Sequence, residues 1–205
     1  MSGAARPLSA QQRDALVRCL DAGGVAVFGA DTVYGLCCDP HSAAAIERLY
    51  ALKGRPPAKP AAVAFFSLRA ALEALPELGE RTAGAFRALL PGPLTLLVPN
   101  PAGRFPLAGG ELLGVRVIDV GIALERAVLQ SSANLAGGPE PRTLTAVAAP
   151  LRAGADLEID RGPLPGTPST VVDLGAFEEG GGWRIVRPGA CTEADLRRSL
   201  VRSSA

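Results

Sequence analysis

Apolar positions recur along the chain with two periods. Ala15, Leu16, Cys19 and Leu20 form one stripe at helical spacing, behind Ser9 and Gln12 at the spacing of a capping box. Gly23-Gly24 stops that helix. Val25–Phe28 is a buried run that reads as a strand, broken at Gly29–Thr32, and Val33–Cys38 continues as a second extended apolar stretch. A helix from about Ser42 carries Ile46, Leu49 and Tyr50 on one face. Ala61–Phe66 reads as a strand, Ser67 caps a helix to about Leu75, and another helix covers Glu80–Leu90 until Pro91-Gly92-Pro93 ends it.

The second half is richer in strands. Thr95–Val98 and Gly114–Val117 are short strands separated by a Gly/Pro-rich loop, Ile122–Val128 reads as a short helix, and Ser131–Asn134 as a polar turn. Between Arg116 and Ser132 the chain has to leave one strand, cross over and return, with Leu129-Gln130 as the returning strand and both side chains facing one cavity. A helix is expected near Leu144–Leu151, then strands at Leu157–Ile159, Ser169–Asp173 and Trp183–Arg187, the last two joined through Gly180-Gly181-Gly182. Thr192 caps a final amphipathic helix with Arg197, Arg198 and Arg202 outside. Strands joined through helices alternate with at least one hairpin, so the fold class is α/β with a mixed sheet, and residues 1–205 read as one domain.

Composition narrows the chemistry. Of 205 residues 48% are hydrophobic, enough for a full core, and the net charge of +1 gives no general attraction to nucleic acid or membranes. No apolar run approaches a membrane span and Met1–Pro7 lacks the apolar stretch of a signal peptide, so a soluble cytoplasmic protein is expected. Cys19, Cys37, Cys38 and Cys191 form no C-x-x-C pair and His41 is the single histidine, which argues against zinc and against Ser-His or Cys-His catalysis.

Candidate anion-binding groups lie instead in loops and at strand ends. Lys53-Gly54-Arg55-Pro56-Pro57-Ala58-Lys59-Pro60 is a cationic loop stiffened by three prolines, suited to a polyphosphate. Asp31-Thr32, Thr95, Arg116, Ser132, Asn134, Ser169-Thr170 and Arg187 also sit where loops position functional groups. Arg116 interrupts an apolar strand, where a charge needs a partner.

Seven motifs in order resemble the YrdC/TsaC family of threonylcarbamoyl-AMP synthases: Asp31–Leu36, Lys53–Pro56 with Lys59-Pro60, Pro91–Thr95, Val115–Val117, Ser132–Gly137, Ser169–Asp173 and Arg187–Gly189. The resemblance implies a twisted mixed β-sheet flanked by helices around a concave basic cavity. It implies a nucleotidyltransferase that makes threonylcarbamoyl-AMP and pyrophosphate from L-threonine, bicarbonate or CO2, and ATP with Mg2+. A downstream transferase would move the product to adenosine 37 of tRNA. It assigns Lys53, Arg55, Lys59, Asn134 and Arg187 to ATP, and Thr32, Arg116, Ser132 and Ser169 to threonine, with Lys53, Arg55, Ser132 and Asn134 catalytic. Protein metal ligands are not assigned. Departures are Gly29-Ala30 where the family has Pro-Thr, Ile118 where it has proline, Ala61 where leucine is common, and a short 117–131 segment. The alternatives are a non-catalytic module binding double-stranded RNA or tRNA, and a different ATP-using ligase or carbamoyl-transfer domain.

Overall fold

The structure, a computed structural model, describes residues 5–54, 61–122 and 124–202. Helix α1 (Ala10–Asp21) starts at Ser9, whose hydroxyl accepts from Gln12 N while the Gln12 side chain accepts from Ser9 N, and ends before Gly23 at φ 71°. Strands β1 (Ala26–Gly29) and β2 (Tyr34–Cys38) pair antiparallel, then α2 (Ala43–Lys53) runs from the Ser42 cap to Gly54 at φ 60°. β3 (Ala62–Phe65), α3 (Leu68–Ala74), α4 (Glu80–Leu89), β4 (Leu94–Pro99) and β5 (Leu112–Val117) follow. Then come β6 (Val128–Ser132), a 3₁₀ turn (Leu144–Ala146), α5 (Ala149–Ala153), β7 (Leu157–Ile159), β8 (Thr170–Asp173), β9 (Arg184–Arg187) and α6 (Glu193–Arg202).

The strands form one open sheet in the order β7-β1-β2-β6-β3-β5-β4-β8-β9. Pairs β1–β7, β3–β5 and β4–β8 are parallel and the other neighbours antiparallel, which is the mixed α/β sheet expected. Alternation along the central strands sorts side chains to two faces. Val63, Leu96, Val115 and Leu129 point into the main core against Leu49 of α2, Phe86 of α4, Leu151 of α5 and Leu196 of α6. On the other face, Leu16 and Leu20 of α1 cover Phe28, Cys37, Ala64 and Val128. That second cover stops short of β4, β5 and β8.

Two expectations need correction. Residues 118–122 and 124–127 are not helical, and β6 takes Val128–Ser132, including half of the expected polar turn. The reason is topological. β6 lies on the far side of β3 from β5, so the connection must span a strand, and it does so as an irregular segment anchored by Ile118, Val120 and Leu124 in the second core. Gly121 turns it at φ 72°, with the Asp119 carboxylate accepting from Gly121 N at 2.8 Å. The helix expected near Leu144–Leu151 is likewise split in two, because Pro150 sits in the first turn of α5, where a new helix can begin.

Tyr34 ties the first hairpin to the chain leaving β7. Its buried hydroxyl lies 2.7 Å from Asp160 Oδ1 and 2.9 Å from Gly162 O, and accepts from Arg161 N at 3.0 Å. Burial, then the Asp160 contact, pushes the phenol up to about 12, so it stays a donor at any ordinary pH. Tyr34→Phe strands the Arg161 N–H and is expected to cost about 1–3 kcal/mol. An unchanged urea midpoint would remove the hydroxyl from this role.

Candidate functional site

Where the second cover stops, the sheet bears a cavity of about 320 Å³, within the size range of small-molecule sites. Its floor is the set of side chains that strand alternation sends to this face: Leu97, Thr95, Gly114, Arg116, Ala62, Gln130, Ser132 and Val171. Thr32, Glu140, Ser169 and Arg187 complete the wall.

Arg116 is the centre of this floor and is only 4% exposed. Its Nη1 donates to Gln130 Oε1 at 3.0 Å, and its Nη2 to Asp31 Oδ1 at 2.5 Å and, at 3.4 Å, towards Thr32 Oγ1. The charge that interrupts an apolar strand thus has a carboxylate and an amide to compensate it. Gln130 can lie flat across the sheet because Gly35 faces it; a Cβ on Gly35 would come 2.3 Å from Gln130 Nε2.

Lys53 ends α2 beneath the turn after β6 and is 3% exposed. Its ammonium donates to the carbonyl oxygens of Ser132 and Asn134, the latter at 2.9 Å, and to Asn134 Oδ1 at 3.2 Å. Ser132 Oγ donates to Asn134 Oδ1 at 2.6 Å, and Asn134 Nδ2 to Gly138 O at 2.7 Å. The Ser132–Asn134 turn is therefore cross-braced by the lysine. At the opposite wall Ser169 Oγ lies 2.8 Å from Thr95 Oγ1, and Arg187 Nη2 donates to Ser169 O at 2.8 Å and to Ser169 Oγ at 3.2 Å.

Of the residues singled out in the sequence, Thr32, Thr95, Arg116, Ser132, Ser169 and Arg187 meet on one cavity. Arg116 and Ser132 face it together, despite the short segment between them. Lys53 and Asn134 stand behind Ser132. Arg55 and Lys59 lie outside the described residues. His41 is exposed and stacks by Phe105 with ring centres 5.2 Å apart, away from the cavity lining. Burial pushes the Cys37 thiol well up and the Cys38 thiol up to about 12, so neither is a thiolate near neutrality. Among the described residues no group of three His, Cys, Asp or Glu side chains could hold a metal ion, and no helix is long and apolar enough to cross a membrane.

Three contributors were not read from the sequence as site residues. Gln130 and Glu140 line the cavity. Arg161, 2% exposed, holds the departure at Gly29-Ala30: its Nη1 donates to the carbonyls of Gly29 at 2.9 Å and Ala30 at 3.0 Å, fixing the approach to Asp31-Thr32. A Cβ on Gly29 would sit 2.9 Å from Arg161 Cβ, so the glycine makes room for this arginine. Burial lowers the arginine's pKa from its ordinary value. For Gln130 a signal existed, since Gln130 and Ser132 share a face by alternation; for Arg161 and Glu140 none did.

A family model described as "Telomere recombination", covering the Sua5, YciO and YrdC proteins, matches residues 18–189. The chain belongs to the Sua5/YciO/YrdC family. Within this family it is 33% identical over 190 residues to a threonylcarbamoyl-AMP synthase of Pyrococcus abyssi, covering 87% of this chain and 54% of that protein, so the chain spans about half the length of that relative. The threonylcarbamoyl-AMP synthase of Chromohalobacter salexigens is 34% identical over 172 residues, 79% of this chain and 92% of that protein. The crystal structure of P. abyssi Sua5 complexed with L-threonine superposes with a TM-score of 0.82 and 26% identity, covering 95% of this chain and 58% of that one. The open, helix-flanked sheet described above is thus the Sua5/YciO/YrdC fold.

Proposed function

We propose that this chain is an L-threonylcarbamoyladenylate synthase. The observation that carries the reading is Arg116, a buried guanidinium on a cavity floor beside Thr32, Ser132 and Ser169, in a family whose P. abyssi member has been crystallised with L-threonine. Arg116 offers a planar fork to the amino acid's carboxylate, and the surrounding hydroxyls suit a polar side chain. The threonine nitrogen, once deprotonated, attacks CO2 to give a carbamate and release a proton. A carbamate oxygen then attacks the α-phosphorus of ATP, the new C–O–P bond forms, and the α–β bridging bond breaks to release pyrophosphate.

Both reactants are anionic, so the protein's task is to hold them in line and offset their charge. Arg187 at the rim and, in the loop after α2, Arg55 and Lys59 are the cations assigned to ATP, while the Lys53 ammonium braces the Ser132–Asn134 turn. Magnesium would be supplied with ATP as part of the substrate, offsetting phosphate charge, with no protein ligand assigned to it. The product is an activated acyl group that a separate transferase delivers to tRNA. RNA binding without catalysis is disfavoured by the net charge of +1 and by a carboxylate, Glu140, in the cavity wall.

Incubation with ATP, bicarbonate, magnesium and L-threonine is expected to release pyrophosphate and form the adenylate, with much less release for serine or alanine. Equal release with serine, alanine and no amino acid would sink the assignment.

A further inference from the structure

A free α-amino acid is a zwitterion, and a cavity that binds one has to compensate two charges of opposite sign. Among the described residues lining this cavity the cations are Arg116 and Arg187, and Glu140 is the one acid. Asp31 is close by but committed, since its Oδ1 takes the Arg116 Nη2 donor. Glu140 is not committed. Its Oε2 is shielded from solvent and has no hydrogen-bond partner among the described residues. A shielded carboxylate oxygen without a donor is costly, and such a group in a cavity wall marks a place where a ligand supplies the donor.

The loop presenting Glu140 is held on both sides. Before it, Gly138 O accepts from Asn134 Nδ2 at 2.7 Å; after it, Pro141 O accepts from Tyr34 N at 2.8 Å. The first tie belongs to the braced Ser132–Asn134 turn and the second to the start of β2, directly after Thr32 and Val33. Glu140 is thereby suspended between two segments that also line the cavity.

We infer that Glu140 is the ammonium-binding residue of the cavity, so that the amino acid is clasped between Arg116 at its carboxylate and Glu140 at its nitrogen. The inference rests on the reading of the cavity as an amino-acid site and adds to it the residue that reads the reacting nitrogen. Glu140 selects a free α-amino acid over a carboxylic acid lacking the amine, a discrimination that Arg116 and the hydroxyls cannot supply. A carboxylate here could also serve a phosphate-bound magnesium ion, which needs only one or two such ligands. The absence of a second uncommitted acid among the described lining residues favours the monovalent ammonium, and the experiment separates the two.

The test is calorimetric titration of the wild-type chain, Glu140→Gln and Glu140→Asp with L-threonine, with 2,3-dihydroxybutanoate (the analogue carrying a hydroxyl in place of the ammonium), and with magnesium-ATP. The wild type is expected to prefer threonine to the analogue by roughly ten- to a hundredfold, the span of a hydrogen-bonded charge. Glu140→Gln, which keeps the shape, should lose most of that preference by weakening threonine alone, and Glu140→Asp should recover part of it. Magnesium-ATP affinity should not move. Unchanged discrimination in Glu140→Gln, equal weakening of both ligands, or a loss confined to magnesium-ATP overturns the inference. A wild type that shows this Glu140-dependent preference yet releases no pyrophosphate sinks the synthase reading and leaves the inference standing; one that binds no threonine overturns both.

Discussion

Arg116→Ala is expected to reduce threonine-dependent pyrophosphate release about a thousandfold. Two effects add. The lost bidentate contact to a carboxylate is worth about 1.5–3 kcal/mol. The substitution also leaves Asp31 without its cation, so the incoming carboxylate meets a negative charge where it met a positive one, and a repulsion of about 1–4 kcal/mol is added at short range. Stability falls as well, because removing one member of a buried pair costs about 3–5 kcal/mol. The low end applies, since the Asp31 side chain is 21% exposed and part of its carboxylate stays hydrated. Asp31→Asn in the same chain should restore much of the stability by removing the orphaned charge, yet little of the activity. Threonine-dependent release within tenfold of wild type in Arg116→Ala would remove Arg116 from the carboxylate site.

The parts of this site legible in the sequence are those in which residue type and local geometry agree. Arg116 stands out because the alternation of Leu113, Val115 and Val117 with Leu112, Gly114 and Arg116 sends a charge to one face of a strand that is otherwise apolar. Helix starts at Ser9, Ser42, Ser67 and Thr192 are equally local, each a hydroxyl accepting from a backbone N–H three residues on. The failures are contacts made across the sheet order. Leu124 and Val128, four residues apart, are compatible with a helix face, and only the knowledge that β6 lies beyond β3 shows why the chain spends residues 118–127 on a span instead. Arg161 follows a short strand at one sheet edge, yet its guanidinium serves the carbonyls of Gly29 and Ala30, more than a hundred residues earlier. No periodicity encodes that pairing.

Lys53 and Arg55, two residues apart in one motif, are expected to separate sharply on mutation. Read along the sequence, both are loop cations for phosphate. In the fold the Lys53 ammonium donates, among the described residues, to the Ser132 and Asn134 carbonyls and to Asn134 Oδ1. Lys53→Ala removes a charged donor from acceptors shielded with it, at a cost of about 3 kcal/mol. For a chain of this size that lowers the melting temperature by about 6–12 °C. Activity falls too, through both substrates, since Ser132 lines the cavity and Asn134 braces it. Arg55, outside the described residues, is a cation that the resemblance assigns to ATP; a charge-assisted phosphate contact is worth about 1.5–3 kcal/mol, so Arg55→Ala should weaken ATP use about ten- to a hundredfold with little change in melting. Thermal melts and separate KM values for ATP and threonine test the contrast. If Lys53→Ala melts like wild type and raises only the KM for ATP, the ammonium acts as a phosphate ligand and not as the brace of the Ser132–Asn134 turn. Full activity and unchanged ATP affinity in Arg55→Ala would reduce the 55–60 loop to a solvated turn.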